Sequence, residues 1–206
     1  MSKSWYKKIM PTIKEASKEL PNIAKTVGDI DGINGVYVWG EYLKHKGEPA
    51  YPLRGIDIIA ETDIHSEDLL SVTEDDNFHP LSMSKEALED EGYNPDAVNL
   101  TKSLMKVKSF NIERWAISKD GKLLHLGPVT SSEDEWNDMK TDAEDSAGRY
   151  AGMDTSEIKD ASKKQQESWY TSYKRHFDNC LQGMPQGWYE TNQSVDDVVS
   201  KSEKLI

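Results

Sequence analysis

The chain has a single cysteine, Cys180, among its 206 residues. One thiol cannot close an internal disulfide, and without paired CxxC motifs there is no cysteine-built zinc site, so a reducing, cytoplasmic setting is the expectation. Long hydrophobic runs are lacking too. No stretch approaches the roughly 18 apolar residues of a membrane span, and the opening MSKSWYKKIMPTIKEA is broken by charge every few positions, so neither export nor anchoring is expected. Positive charge is in short supply, with 25 Lys and Arg against 37 Asp and Glu and a net charge of −12. That balance repels a phosphate backbone at long range and excludes a general DNA binder. Internal repeats and low-complexity tracts are absent as well.

What the chain does have is enough apolar surface to fold. Hydrophobic residues make up 36 %, with six Trp and nine Tyr, and a chain of this length holds one sizeable domain or a domain with a helical appendage. Trp5, Ile9, Ile13, Ala16 and Leu20 fall three or four apart, which predicts a helix over residues 4–20, with Pro21 opening a second short helix to Val27. The period then changes. Val36 to Trp39 are β-branched or aromatic and end at Gly40, and a second apolar run covers residues 56–60, so the two read as a hairpin-like pair of strands with a connection of about a dozen residues.

Residues 84–106 carry two helical pieces, with Ser84 as N-cap, Gly92 as stop and Pro95 as restart. FNIERWAISKDGKLLHLGP gives two strands around an Asp120–Gly121 turn. From Thr130 the pattern turns helical and acidic. A further helix is expected after Asp154, where Glu157 completes a capping box, with Ile158, Ala161, Gln165, Trp169, Tyr173, Phe177 and Cys180 on its inner face. GMPQGW ends it, and a last helix covers residues 195–205. The expected fold is α+β: a small mixed β-sheet with flanking helices in residues 1–129, and a helical C-terminal subdomain in residues 130–206 packed on it.

Asp57 stands inside the apolar run LRGIDIIA, and Glu113 inside NIERWAI. Residues two apart on a strand share a face, so residues 55, 57 and 59 point one way and Ile56, Ile58 and Ala60 the other. Two carboxylates on neighbouring strands repel each other unless a cation or a shared proton intervenes, and a hard ion such as Mg2+ suits such oxygen donors.

VYVWGEYL followed by LRGIDIIA, with NIERWAI later, resembles the nucleotidyltransferase superfamily of polymerase beta-like fold over residues 35–118. That family has a strand, a glycine turn, a helix, an Asp-x-Asp strand and a third carboxylate on a later strand. The resemblance implies a sheet of nucleotidyltransferase type and Mg2+-dependent transfer of a nucleotide from a nucleoside triphosphate to an acceptor hydroxyl. By position, Asp57 and Glu113 match the metal-holding, catalytic carboxylates, and Gly40, Glu41 and Arg54 match the nucleotide-binding turn and its surroundings. Gly55 stands where the family has its first aspartate, and Glu41 where it has a small turn residue. These departures leave two expectations, an active transferase or a catalytically degenerate relative kept as a binding or interaction module.

Other readings of the same residues stand beside these. Asp57 pairs with Arg54 or Lys44 and Glu113 with Lys122 as ordinary strand-edge charges. HSED at 65–68 opens a helix rather than ligating a metal, and His125 is a half-buried strand residue or a base. WYTSYKRHF stacks on nucleotides or packs a helix face. The acidic run at 131–145 is a solvated helix face, or a nucleic-acid mimic directed at a basic partner.

Overall fold

The computed structural model describes residues 11–53, 55–75, 78–107, 112–129, 133–181 and 184–206. Helix α1 (Ile13–Gly28) begins at Thr12, whose side chain accepts from Glu15 N–H while the Glu15 carboxylate returns to the Thr12 backbone. Pro21 lies inside α1 instead of dividing it. Proline removes one helical hydrogen bond at about 3 kcal/mol, but Ile13, Ala16, Leu20, Ile23, Ala24 and Val27 form one buried stripe across it. At roughly 1.5–3 kcal/mol per large buried side chain, that stripe keeps the helix continuous.

Strand β1 (Ile33–Trp39) ends at Gly40, which opens the short helix α2 (Glu41–Lys44). β2 (Ile56–Thr62) returns antiparallel to β1. The connection between them is pinned by Ile13 N–H to the Tyr51 carbonyl at 3.0 Å and Leu53 N–H to the Pro11 carbonyl at 2.8 Å. α3 (Ser66–Ser71), the two-residue β3 (Thr73–Glu74), α4 (Lys85–Asp90) and α5 (Pro95–Lys106) follow. Ser84 caps α4, Gly92 takes φ +82° after it, and Pro95 starts α5, as read from the sequence. β4 (Ile112–Ile117) then runs parallel to β2 and pairs antiparallel with β5 (Leu123–Pro128). Gly121 between them is left-handed at φ +74°.

Helices α6 (Glu133–Ala151) and α7 (Lys163–Leu181) pack as a hairpin around Ala147, Met153, Ile158, Trp169 and Tyr170. The Asp154–Glu157 capping box is present, but it opens a 3-10 turn, Thr155–Asp160. The helix restarts beyond Ser162, which exchanges hydrogen bonds with Gln165. Gln165 is therefore exposed, and Tyr170 joins Trp169 inside.

The chain then returns to the sheet through β6 (Gln186–Glu190), and α8 (Val195–Ser200) precedes β7 (Glu203–Lys204). Two expectations are corrected here. QGWYE is a strand, and the helix expected over residues 195–205 stops at Ser200 because Leu205 N–H bonds to the Val36 carbonyl. The fold is α+β with a mixed sheet ordered β3-β6-β5-β4-β2-β1-β7, so the sheet crosses the division expected at residue 129.

One face of the sheet, with Val36, Val38, Ile56, Ile58, Ala60, Ala116 and Leu124, packs with the stripe of α1 and with Ala97, Leu100 and Leu104 of α5. Arg114 ties the end of α5 to β4, donating to the carbonyls of Leu104, Val107 and Ile112 at 2.6–2.9 Å. The opposite face carries Ile59, Trp115, Ile117 and Leu123 against Val198, with Val195 and Val199 at its margin. Among the described residues no helix is long and apolar enough to cross a membrane.

Candidate functional site

The alternation that buries Ile56, Ile58 and Ala60 turns Asp57 to the second face of the sheet. Because β2 and β4 run parallel in register, Asp57 pairs directly with Glu113, and Trp39 of β1 pairs with Asp57 from the other side. In the adjacent row, Tyr37, Ile59, Trp115, His125 and Tyr189 are successive cross-strand partners over five strands. The two carboxylates thus share one aromatic-walled patch, at the end of the sheet where β1 finishes and β2 and β4 begin.

Trp115 donates its indole N–H to Asp57 Oδ1 at 3.0 Å, and its ring meets Trp39 edge-on at 5.2 Å. The second Asp57 oxygen faces Gly40, where a Cβ would collide with it. Gly40 also holds φ +71°, so close approach and backbone geometry both require glycine. Glu113 meets Lys140 of α6, whose ammonium lies 3.1 Å from Oε1 and 3.2 Å from Oε2. His125 Nε2 lies 3.3 Å from Glu113 Oε2. The His125 ring is buried between Trp115 and Tyr189, at centroid distances of 4.3 and 5.1 Å.

The two carboxyl groups are driven apart in acidity. Burial first, and then the charge of Glu113, push Asp57 up to about 7 against the pull of Lys140 and the Trp115 N–H. Burial also opposes the charge of Glu113, but Lys140 and then His125 outweigh it and hold this carboxyl well below its ordinary range. Glu113 is the anion of the pair, and Asp57 exchanges its proton near neutrality.

Glu41 opens α2, accepts from the Tyr51 hydroxyl at 3.3 Å, and adds a smaller push on Asp57. Arg54 lies outside the described residues. The simple edge pairing foreseen for Glu113 is not the arrangement found, since Lys122 pairs with Glu190 at 2.9 Å. His65 is the exposed N-cap residue of α3, and the Ser66 N–H there is taken by Asp120 at 2.8 Å. The aromatic residues of WYTSYKRHF stack along α7, Trp169 on Tyr173 at 5.4 Å and Tyr173 on Phe177 at 5.7 Å, with Trp169 fully buried in the hairpin. A groove of about 910 Å3 at the opposite end of β2 and β4 is lined by charges of both signs, among them Asp31, Asp63, Lys102 and Lys119.

Lys140 was not anticipated, although it is the one basic residue of the run SSEDEWNDMKTDAED. Trp115 could have been found from its spacing two residues beyond Glu113, which puts both on one face.

A magnesium ion does not fit this donor set while Lys140 is seated on it. Mg2+ is held by one or two carboxylates, with water or phosphate completing its octahedron, and therefore needs carboxylate oxygens that are free. Here Gly55 supplies no side-chain oxygen, one Asp57 oxygen is bonded to Trp115 while the other faces Gly40, and both Glu113 oxygens are engaged by Lys140. Among the described residues no group of three or more His, Cys, Asp or Glu side chains converges as metal ligands. Compared with protein families, curated proteins and solved structures, the chain gives no match.

Proposed function

We propose that the chain is a catalytically degenerate nucleotidyltransferase-like protein, serving as a binding or interaction module rather than transferring nucleotide. The observation that carries this reading is the ammonium of Lys140 seated on both oxygens of Glu113, beside a strand that offers glycine at position 55. Phosphoryl transfer relies on cations that align the attacking and leaving oxygens, and a carboxylate pair already neutralised by the protein's own side chain lacks the donors to hold them. A net charge of −12 favours cationic partners over phosphate backbones.

The test is pyrophosphate release from the four nucleoside triphosphates with Mg2+ or Mn2+, together with calorimetric titration of each triphosphate. The reading expects no release, and weak or no triphosphate binding that strengthens when Gly55→Asp and Glu41→Ser are introduced together. Release that disappears in Asp57→Asn overturns it. That outcome supports the second reading, an active transferase, which the in-register pairing of Asp57 with Glu113 beside the Gly40 turn favours.

A further inference from the structure

Two acidic side chains on adjacent strands at the same register position need a counter-charge, because both are half-buried and each raises the cost of ionising the other. The protein supplies one from a distant segment. Lys140 lies on α6, 27 residues beyond Glu113, with its side chain 29 % exposed, as is that of Glu113. Its ammonium touches both Glu113 oxygens and its charge acts on Asp57 as well. His125 closes the third side of Glu113, and Trp115 secures Asp57.

We propose that Lys140 is the resident cation of this site: its ammonium holds the position that a metal ion would take between the two carboxylates, and in doing so fastens the α6–α7 hairpin to the sheet. Removing it uncovers a latent divalent-cation site. The inference deepens the reading above and rests on the same carboxylate pair. It also explains why the lone lysine of an acidic helix segment points inward, while Asp138, Asp142 and Asp145 of the same helix are exposed.

The experiment uses the full chain and Tb3+ as probe, since Trp115 and Trp39 lie beside the carboxylates and sensitise its emission. In Lys140→Met, saturable Tb3+ emission displaced by Mg2+ or Ca2+ is expected, at least roughly tenfold tighter than in the wild type, because an uncompensated carboxylate pair is left behind. Adding Glu113→Gln to Lys140→Met abolishes the gain. Equal Tb3+ affinity in wild type and in folded Lys140→Met, judged by circular dichroism and gel filtration, overturns the proposal.

Thermal unfolding supplies an independent readout. The double variant recovers stability that Lys140→Met loses, and additive effects overturn the idea. If Lys140→Met does not fold, folding of the double variant supports the proposal and its failure overturns it. Pyrophosphate release is read on the wild type and cation binding on the lysine variant, so a failure of the functional reading and a failure of this inference give different results.

Discussion

Replacing Gly40 by alanine tests the geometry of the site most directly. The new Cβ falls on Asp57 Oδ2 and lies 3.1 Å from Asp57 Cγ, while the Asp57 Cβ at 3.6 Å is in ordinary contact. Two costs follow. The backbone at φ +71° and ψ −139° is one that L-residues adopt only under strain, at about 1–3 kcal/mol. Relieving the collision means moving the Asp57 carboxyl group off the Trp115 N–H, and stranding that half-buried donor costs about 1–3 kcal/mol. Together Gly40→Ala should cost about 2–6 kcal/mol, which for a chain of this size lowers Tm by about 10 °C.

The two parts separate in an Asp57→Ala background. There the collision vanishes and only the backbone strain of about 1–3 kcal/mol remains. Urea and thermal unfolding of the wild type, both single variants and the double variant give the cycle. A cost below about 1 kcal/mol for Gly40→Ala, or equal costs in the two backgrounds, refutes the placement of Gly40 against Asp57.

Three further outcomes are expected. Between about pH 4, near the ordinary value of 3.8, and about pH 7, the folded chain retains the Asp57 proton that the unfolded chain has released. The stability Asp57 contributes is therefore present at low pH and lost as pH rises through about 7. Glu113, Lys140, Glu41 and the Trp115 N–H face it, so Asp57→Asn should gain stability relative to the wild type over that interval in urea titrations, and a flat difference refutes this. Thr101→Val removes the buried acceptor of the Trp188 indole N–H, bonded at 2.8 Å; stranding that donor should cost about 1–3 kcal/mol in urea unfolding, and a cost near zero shows that Trp188 finds another partner. Lys140→Met should gain Tb3+ binding as described above, read by sensitised emission.

Local signals made much of the fold legible. Glycine at a strand end, Ser84 and Pro95 at helix starts and the Asp120–Gly121 turn are short-range devices, and each sits where its chemistry acts within a few residues. The elements that were misread are those decided at long range. Pro21 reads as a break until the stripe on both sides of it is seen buried in one core. GMPQGW reads as a turn from its glycines and proline, but Gly187 is needed where the Val72 carbonyl presses close and Trp188 is drawn in by Thr101, so its last residues open β6.

The site divides in the same way. Asp57 and Glu113 were legible as charges interrupting apolar strands, and alternation assigned their face. Lys140 was not, because a helix carrying mostly acids reads as solvated, and only the tertiary fold turns its one lysine towards Glu113. His125 reads from its strand as a half-buried residue or a base, and register buries it beside Trp115 and within reach of Glu113.

Among the described residues the sheet finishes at both margins in a strand of only two residues, Thr73–Glu74 on one side and Glu203–Lys204 on the other. Strands so short, three of their four residues charged and the last pair exposed, offer almost no ladder for a foreign backbone to extend. Association by strand addition, with this chain's own copies or with a foreign backbone, is thereby discouraged.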